Sequence, residues 1–134
     1  MKALAVSFVV LLLLLCCSAF GQQLQPLSGV VKTIKRRGQP TVHQVALSWT
    51  QSVSPGVTGD CVYRGTVTGG PYTQLFCSST PSTAYTDLSV TAGATYYYVV
   101  TALVGSSEES GYSNQFTAII PNVAPPTGLT GTEQ

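Results

Sequence analysis

TAGATYYYVVTA, residues 91–102, combines a glycine-bearing turn, three consecutive tyrosines and an apolar stretch ending in alanine. Neighbouring side chains on a strand point to opposite faces. Tyr96, Tyr98, Val100 and Ala102 therefore share one face, and Tyr97, Val99 and Thr101 share the other. The three rings cannot form one continuous platform. Two of them belong with the alternating apolar positions that fill a core, and only Tyr97 is left pointing outward.

The same alternation recurs on both sides of this run. In HQVALSWT, residues 43–50, Val45, Leu47 and Trp49 share a face. DCVYRGT (60–66), YTQLFC (72–77) and AYTDL (84–88) follow, and YSNQFTAII (112–120) is stopped by Pro121. Between them lie VTGGP, SSTPS and GSSEESG, which are turn and loop compositions. Short strands with regular turn signals predict an antiparallel sandwich or small barrel. A parallel sheet would need crossover helices, and no helical periodicity is seen beyond the N-terminus.

The first 21 residues read differently. Lys2 precedes an apolar run from Ala3 to Cys17, and small residues stand at Ala19 and Gly21. This is the order of a secretory signal peptide cleaved before Gln22. The run is shorter than the roughly 20 apolar residues of a membrane-spanning helix. Lipidation at Cys16 or Cys17 is disfavoured, because neither Leu15 nor Cys16 is the small residue expected before an acceptor. With Lys2 removed, the six basic residues become five against five acidic ones. A near-neutral chain without a basic surplus gives no electrostatic footprint for nucleic acid. No apolar span remains for a membrane. Residues 22–40 are expected to be a leader or an irregular first strand built on Val30, Val31 and Ile34. Residues 41–121 form the domain, and 122–134 are a tail rich in Pro, Gly and Thr.

From Thr41 to Pro121 the pieces resemble, in order and spacing, the fibronectin type III family. LSW at 47–49 resembles the second strand with its core tryptophan, and VYRG at 62–65 the third strand. VTAGATYYYVVTA, 90–102, resembles the tyrosine-corner segment, and GYSN at 111–114 the lead-in to the last strand. The whole also resembles the versions common in secreted bacterial proteins. The resemblance implies an all-β, immunoglobulin-like antiparallel sandwich of about seven strands. It places Trp49 and Tyr98 in the core and makes Tyr96 the corner tyrosine, whose hydroxyl bonds nearby backbone. It also implies a non-catalytic extracellular module for protein or surface binding, adhesion or spacing. Asp60 departs from the pattern, since the family usually places an aromatic there. APPTGLTGT, 124–132, resembles the opening of another such module, so the tail is either a truncated second copy or a free end.

Candidate sites are few. Tyr63, Tyr72 and Tyr97 are the tyrosines able to form a binding surface, and an accessory carbohydrate-binding module would need such aromatics in a row. The partner is thus an unidentified protein or polysaccharide. The loops at Ser54–Gly59, Thr66–Pro71 and Gly105–Ser110 are further binding candidates. Cys61 and Cys77 remain after signal removal, and export favours a disulfide between them over two free thiols. If Tyr63 faces Leu75, Cys61 faces Cys77. Yet Val62 is an inward position, so Cys61 points out while Cys77 shares a face with Leu75, and a bulge would reconcile the two. Two cysteines alone make a poor structural zinc site, and neither cofactor nor metal is expected. A small secreted hydrolase is the remaining alternative. His43 is the one histidine, Glu108 and Glu109 lie side by side in a polar loop, and neither a nucleophile elbow nor a phosphate loop is present. KTIKRR, 32–37, reads as a solvated linker rather than an acidic-polymer site. Weak self-association is expected if the tail of one copy adds to an edge left open by a poor first strand.

Overall fold

Alternation of apolar and polar residues resolves into eight strands in the computed structural model, which describes residues 26–38, 40–106, 108–122 and 127–132. They are β1 (Leu27–Ile34), β2 (Val42–Trp49), β3 (Val57–Gly65), β4 (Thr73–Ser78), β5 (Ala84–Asp87), β6 (Thr95–Val104), β7 (Glu108–Glu109) and β8 (Phe116–Ile119). The segment read as a signal peptide lies outside the described residues. Residues 127–132 of the tail are exposed and in no strand. Among the described residues, no helix is long and apolar enough to cross a membrane.

One sheet has the order β1-β2-β5. The other runs β4-β3-β6, with β7 and β8 both paired to the far side of β6. All pairings are antiparallel. Because β7 and β8 occupy one edge in series, the eight segments fill seven strand positions of an all-β sandwich. Val45, Leu47 and Trp49 of the smaller sheet pack against Val62, Tyr96, Tyr98, Val100 and Ala118 of the larger one, with Ile120 beside them. Burying each large apolar side chain here contributes on the order of 1.5–3 kcal/mol.

The segment that the sequence left between a leader and an irregular strand is a regular edge strand. β1 pairs with β2 without interruption, from Leu27 opposite Trp49 to Ile34 opposite Val42. Asn114 ties it down. Its side chain accepts the Leu27 N–H and donates to the Leu27 carbonyl at 2.9 Å, so an amide stands in for a neighbouring strand. Gly29 lets β8 close on this strand, since a Cβ there would lie 2.7 Å from the Phe116 ring. KTIKRR is therefore no linker: Lys32–Ile34 end β1, and residues 35–37 lead into the turn toward β2. The poor first strand on which tail addition depended is absent.

The gap between β7 and β8 is bridged by serines. Ala102 N–H donates to Ser110 Oγ at 2.9 Å and Val100 N–H to Ser113 Oγ at 3.0 Å. In return the backbone N–H groups of Ser110 and Ser113 donate to the Ala102 and Val100 carbonyls. Buried backbone donors must find partners, and side-chain oxygens supply them where the ladder stops.

Candidate functional site

The outward face of the larger sheet is built around the β3–β4 hairpin. Cys61 pairs with Cys77 and Val62 with Phe76, but Tyr63 pairs with Gln74, so the register slips by one residue at Leu75. Tyr63 thus faces Gln74, not Leu75 as the spacing suggested. The bulge turns Leu75 toward the core while Cys77 stays outward, where it is disulfide-bonded to Cys61 with a Cα–Cα distance of 4.1 Å.

Three tyrosines meet on this face. The Tyr112 ring lies 5.5 Å from that of Tyr63 at 68° and 5.2 Å from that of Tyr72 at 70°. Edge-to-face arrangements of this kind are favoured by the ring quadrupoles. Tyr112 is 49 % exposed and occupies the centre of the series. Tyr72 reaches the group by folding over Gly65, where a Cβ would lie 2.7 Å from the Pro71 carbonyl oxygen and 3.2 Å from the Tyr72 ring. Gln115 Oε1 accepts from Tyr72 Oη and from Gly69 N–H, each at 2.8 Å, and so pins the turn after β3. Tyr97 stands on the same face, opposite Gly65 and Thr117.

Glu109 closes the other end. Its Oε2 accepts from Tyr63 Oη at 2.6 Å and from Thr101 Oγ1 at 2.7 Å. Burial, reinforced by this bond to a carboxylate, pushes the Tyr63 hydroxyl up to about 12, so it stays a neutral donor across the physiological range. Under this layer Val99 and Thr101 are each only 2 % exposed despite pointing away from the core.

The inward ionisable groups serve the fold. Arg64 Nη1 pairs with Asp87 Oδ2 at 2.7 Å and donates to Ser89 Oγ at 2.9 Å. Asp87 also accepts from Tyr98 Oη at 2.8 Å and from the Ser89 N–H and hydroxyl. Burial alone would raise the Asp87 carboxyl, but the Ser89, Tyr98 and Arg64 hydrogen bonds outweigh it and hold the group below its usual value. The same setting, burial first and Asp87 second, raises the Tyr98 hydroxyl. The Arg64 guanidinium lies 4.7 Å over the Tyr96 ring. Tyr96 Oη in turn accepts the Thr91 N–H at 3.2 Å. Asp60, where an aromatic was expected, accepts from Gln51 and from the Ser82 N–H at the opposite end of β3. It binds the loop before β5 in place of filling space. His43 is buried and its Nδ1 lies 3.0 Å from Thr33 Oγ1.

Sequence reasoning placed Tyr63, Tyr72 and Tyr97 together and missed Tyr112, the ring that joins the first two. GYSN was read only as the start of a strand, whereas Tyr112 precedes β8 in the interrupted edge. The loop candidates also shift: Val57–Gly59 belongs to β3, and Glu108–Glu109 form β7. Cys61, Cys77 and Glu109 bring potential ligand atoms within 4.8 Å of one another. The sulfurs are bonded to each other, however, and the thiolates that a metal requires are not available in this state.

An immunoglobulin-like sandwich with an aromatic, mildly acidic outer face is the class that this architecture defines. The chain folds as a fibronectin type III domain: it is 29 % identical to a Fn3-like protein from Clostridium thermocellum at TM-score 0.50, covering 73 % of this chain and 97 % of that one. It also superimposes on the sixth fibronectin type III domain of human fibronectin type III domain containing protein 3, at TM-score 0.56 and 20 % identity, covering 77 % and 88 % of the two chains. Pectate lyase PelI from Erwinia chrysanthemi contains a similar fold, at TM-score 0.55 and 19 % identity, covering 69 % of this chain and 26 % of that protein. Over 75 residues, 56 % of this chain, the sequence is 40 % identical to an amylopullulanase of Thermoanaerobacterium thermosulfurigenes. The chain spans only 4 % of that relative's length. No family profile matches.

Proposed function

We propose that this chain is a non-catalytic module, acting outside the cytoplasm, that holds a polysaccharide on the tyrosine face of its larger sheet. The observation that carries the reading is the Tyr63–Tyr112–Tyr72 series flanked by Gln74, Gln115 and Glu109. Sugar rings present C–H faces to aromatic side chains and hydroxyls to amides and carboxylates, and this face offers both. The likeness to a short segment of an amylopullulanase supports an accessory role beside carbohydrate chemistry. The disulfide supports an oxidising compartment. A non-catalytic role is supported by the placement of the inward acids: Asp60 and Asp87 are both committed to hydrogen bonds that hold loops and strands together.

Affinity electrophoresis through gels containing soluble polysaccharides tests this. Retardation of the wild type, lost in Tyr112→Ala with an unchanged circular-dichroism melt, is the expected outcome. Free migration of the wild type through both neutral and acidic polysaccharide gels overturns the reading and leaves adhesion to protein, or spacing, as the role.

A further inference from the structure

The charges of this domain are segregated. The cations are Lys32, Lys35, Arg36, Arg37 and Arg64 among the described residues. The first four belong to β1 and the turn that follows it, on the smaller sheet. Arg64 points inward and is paired with Asp87. No cation stands on the tyrosine face among the described residues, and Glu109 does. Its hydrogen bonds to Tyr63 and Thr101 both fall on Oε2, which leaves Oε1 without a hydrogen bond among the described residues. The carboxylate is held in place by two short bonds instead of swinging away.

Resting on the polysaccharide reading above, we infer that the tyrosine face selects uncharged glycans and rejects uronic-acid polymers, with Glu109 as both hydroxyl acceptor and charge filter. A neutral pyranose has hydroxyls to donate to Glu109 Oε1 and carries nothing that the carboxylate repels. A uronate brings a second carboxylate to a face with no positive partner. Two like charges about 4 Å apart in water weaken binding roughly fivefold, and more where the contact is partly dry. Specificity built in this way comes from a repulsive element as much as from an attractive one. The four cations of β1 and the turn after it lie on the other sheet, away from the tyrosine face.

Binding of pullulan and of polygalacturonate to the intact domain is to be measured by affinity electrophoresis or calorimetry. Measurements are made at low salt and in about 1 M salt, where the screening length falls to about 3 Å. The expected result is binding of pullulan with little salt dependence and polygalacturonate binding at least about fivefold weaker at low salt. Glu109→Gln should narrow that gap by about fivefold and weaken pullulan binding a few-fold. Polygalacturonate bound as tightly as pullulan, or a ratio unchanged in Glu109→Gln, overturns the selectivity while leaving polysaccharide binding in place. Retention of neither polymer overturns both.

Discussion

Asp87 is the residue on which the inside of the sandwich converges. It is 2 % exposed, while the Arg64 side chain is 22 % exposed, so the pair lies between a surface ion pair and a fully buried one. Removing one partner of a buried pair strands the other charge. Asp87→Ala is expected to destabilise by about 2–4 kcal/mol, below the full cost because Arg64 retains some solvent. The pH dependence follows from the lowered carboxyl. Its stabilisation is complete above the unfolded-state value of about 3.9 and is lost as pH falls through the lower folded-state value. Urea midpoints should therefore drop in acid for the wild type and change less for Asp87→Asn. Ser113 makes the second residue-scale prediction. Its hydroxyl is the acceptor for the buried Val100 N–H, so Ser113→Ala should cost about 1–3 kcal/mol in chemical denaturation. Neither role was legible in the sequence. Alternation placed Tyr98 inside, but only the pairing of three elements shows that its hydroxyl ends on Asp87. The available hint was that a buried tyrosine hydroxyl needs a partner and that AYTDL puts Asp87 on the same face as Tyr85.

At the scale of elements, the β3–β4 hairpin shows how one bulge serves two demands. Leu75 is delivered to the core and Cys77 to the outer face, and the disulfide fixes the register. The bond closes a loop of sequence separation 16, for which chain entropy gives about 3 kcal/mol. Oxidised protein should have an intact mass lower by two hydrogens than the reduced protein. Reduction should shift the denaturation midpoint by the corresponding amount. Both thiols labelled without reductant would contradict the pairing. The conflict between inward Val62 and the shared face of Leu75 and Cys77 was visible in the sequence, and a bulge was the resolution it suggested. β1 was harder to read. Gly29 interrupts its pattern, and the group that secures it, Asn114, lies 87 residues away. No local window contains that information.

At the scale of the whole molecule, the two sheets present unlike surfaces. The smaller sheet carries the cations of β1 and its turn, and the larger one carries tyrosines with Glu109. Six of the seven strand positions were legible because turn residues and alternation are local signals; the first, β1, was not. The tyrosine face was legible only in part. Tyr63 and Tyr72 were recognisable as surface candidates, but Tyr112 joins them through the packing of the interrupted edge beside β6. The most direct test of the proposed polysaccharide-binding role of this face is a titration of the isotope-labelled domain with a neutral oligosaccharide, followed by amide chemical shifts. The account predicts perturbations at Tyr63, Tyr72, Glu109 and Tyr112 on the larger sheet. Shifts confined to the smaller sheet, or none at saturating ligand, would contradict it.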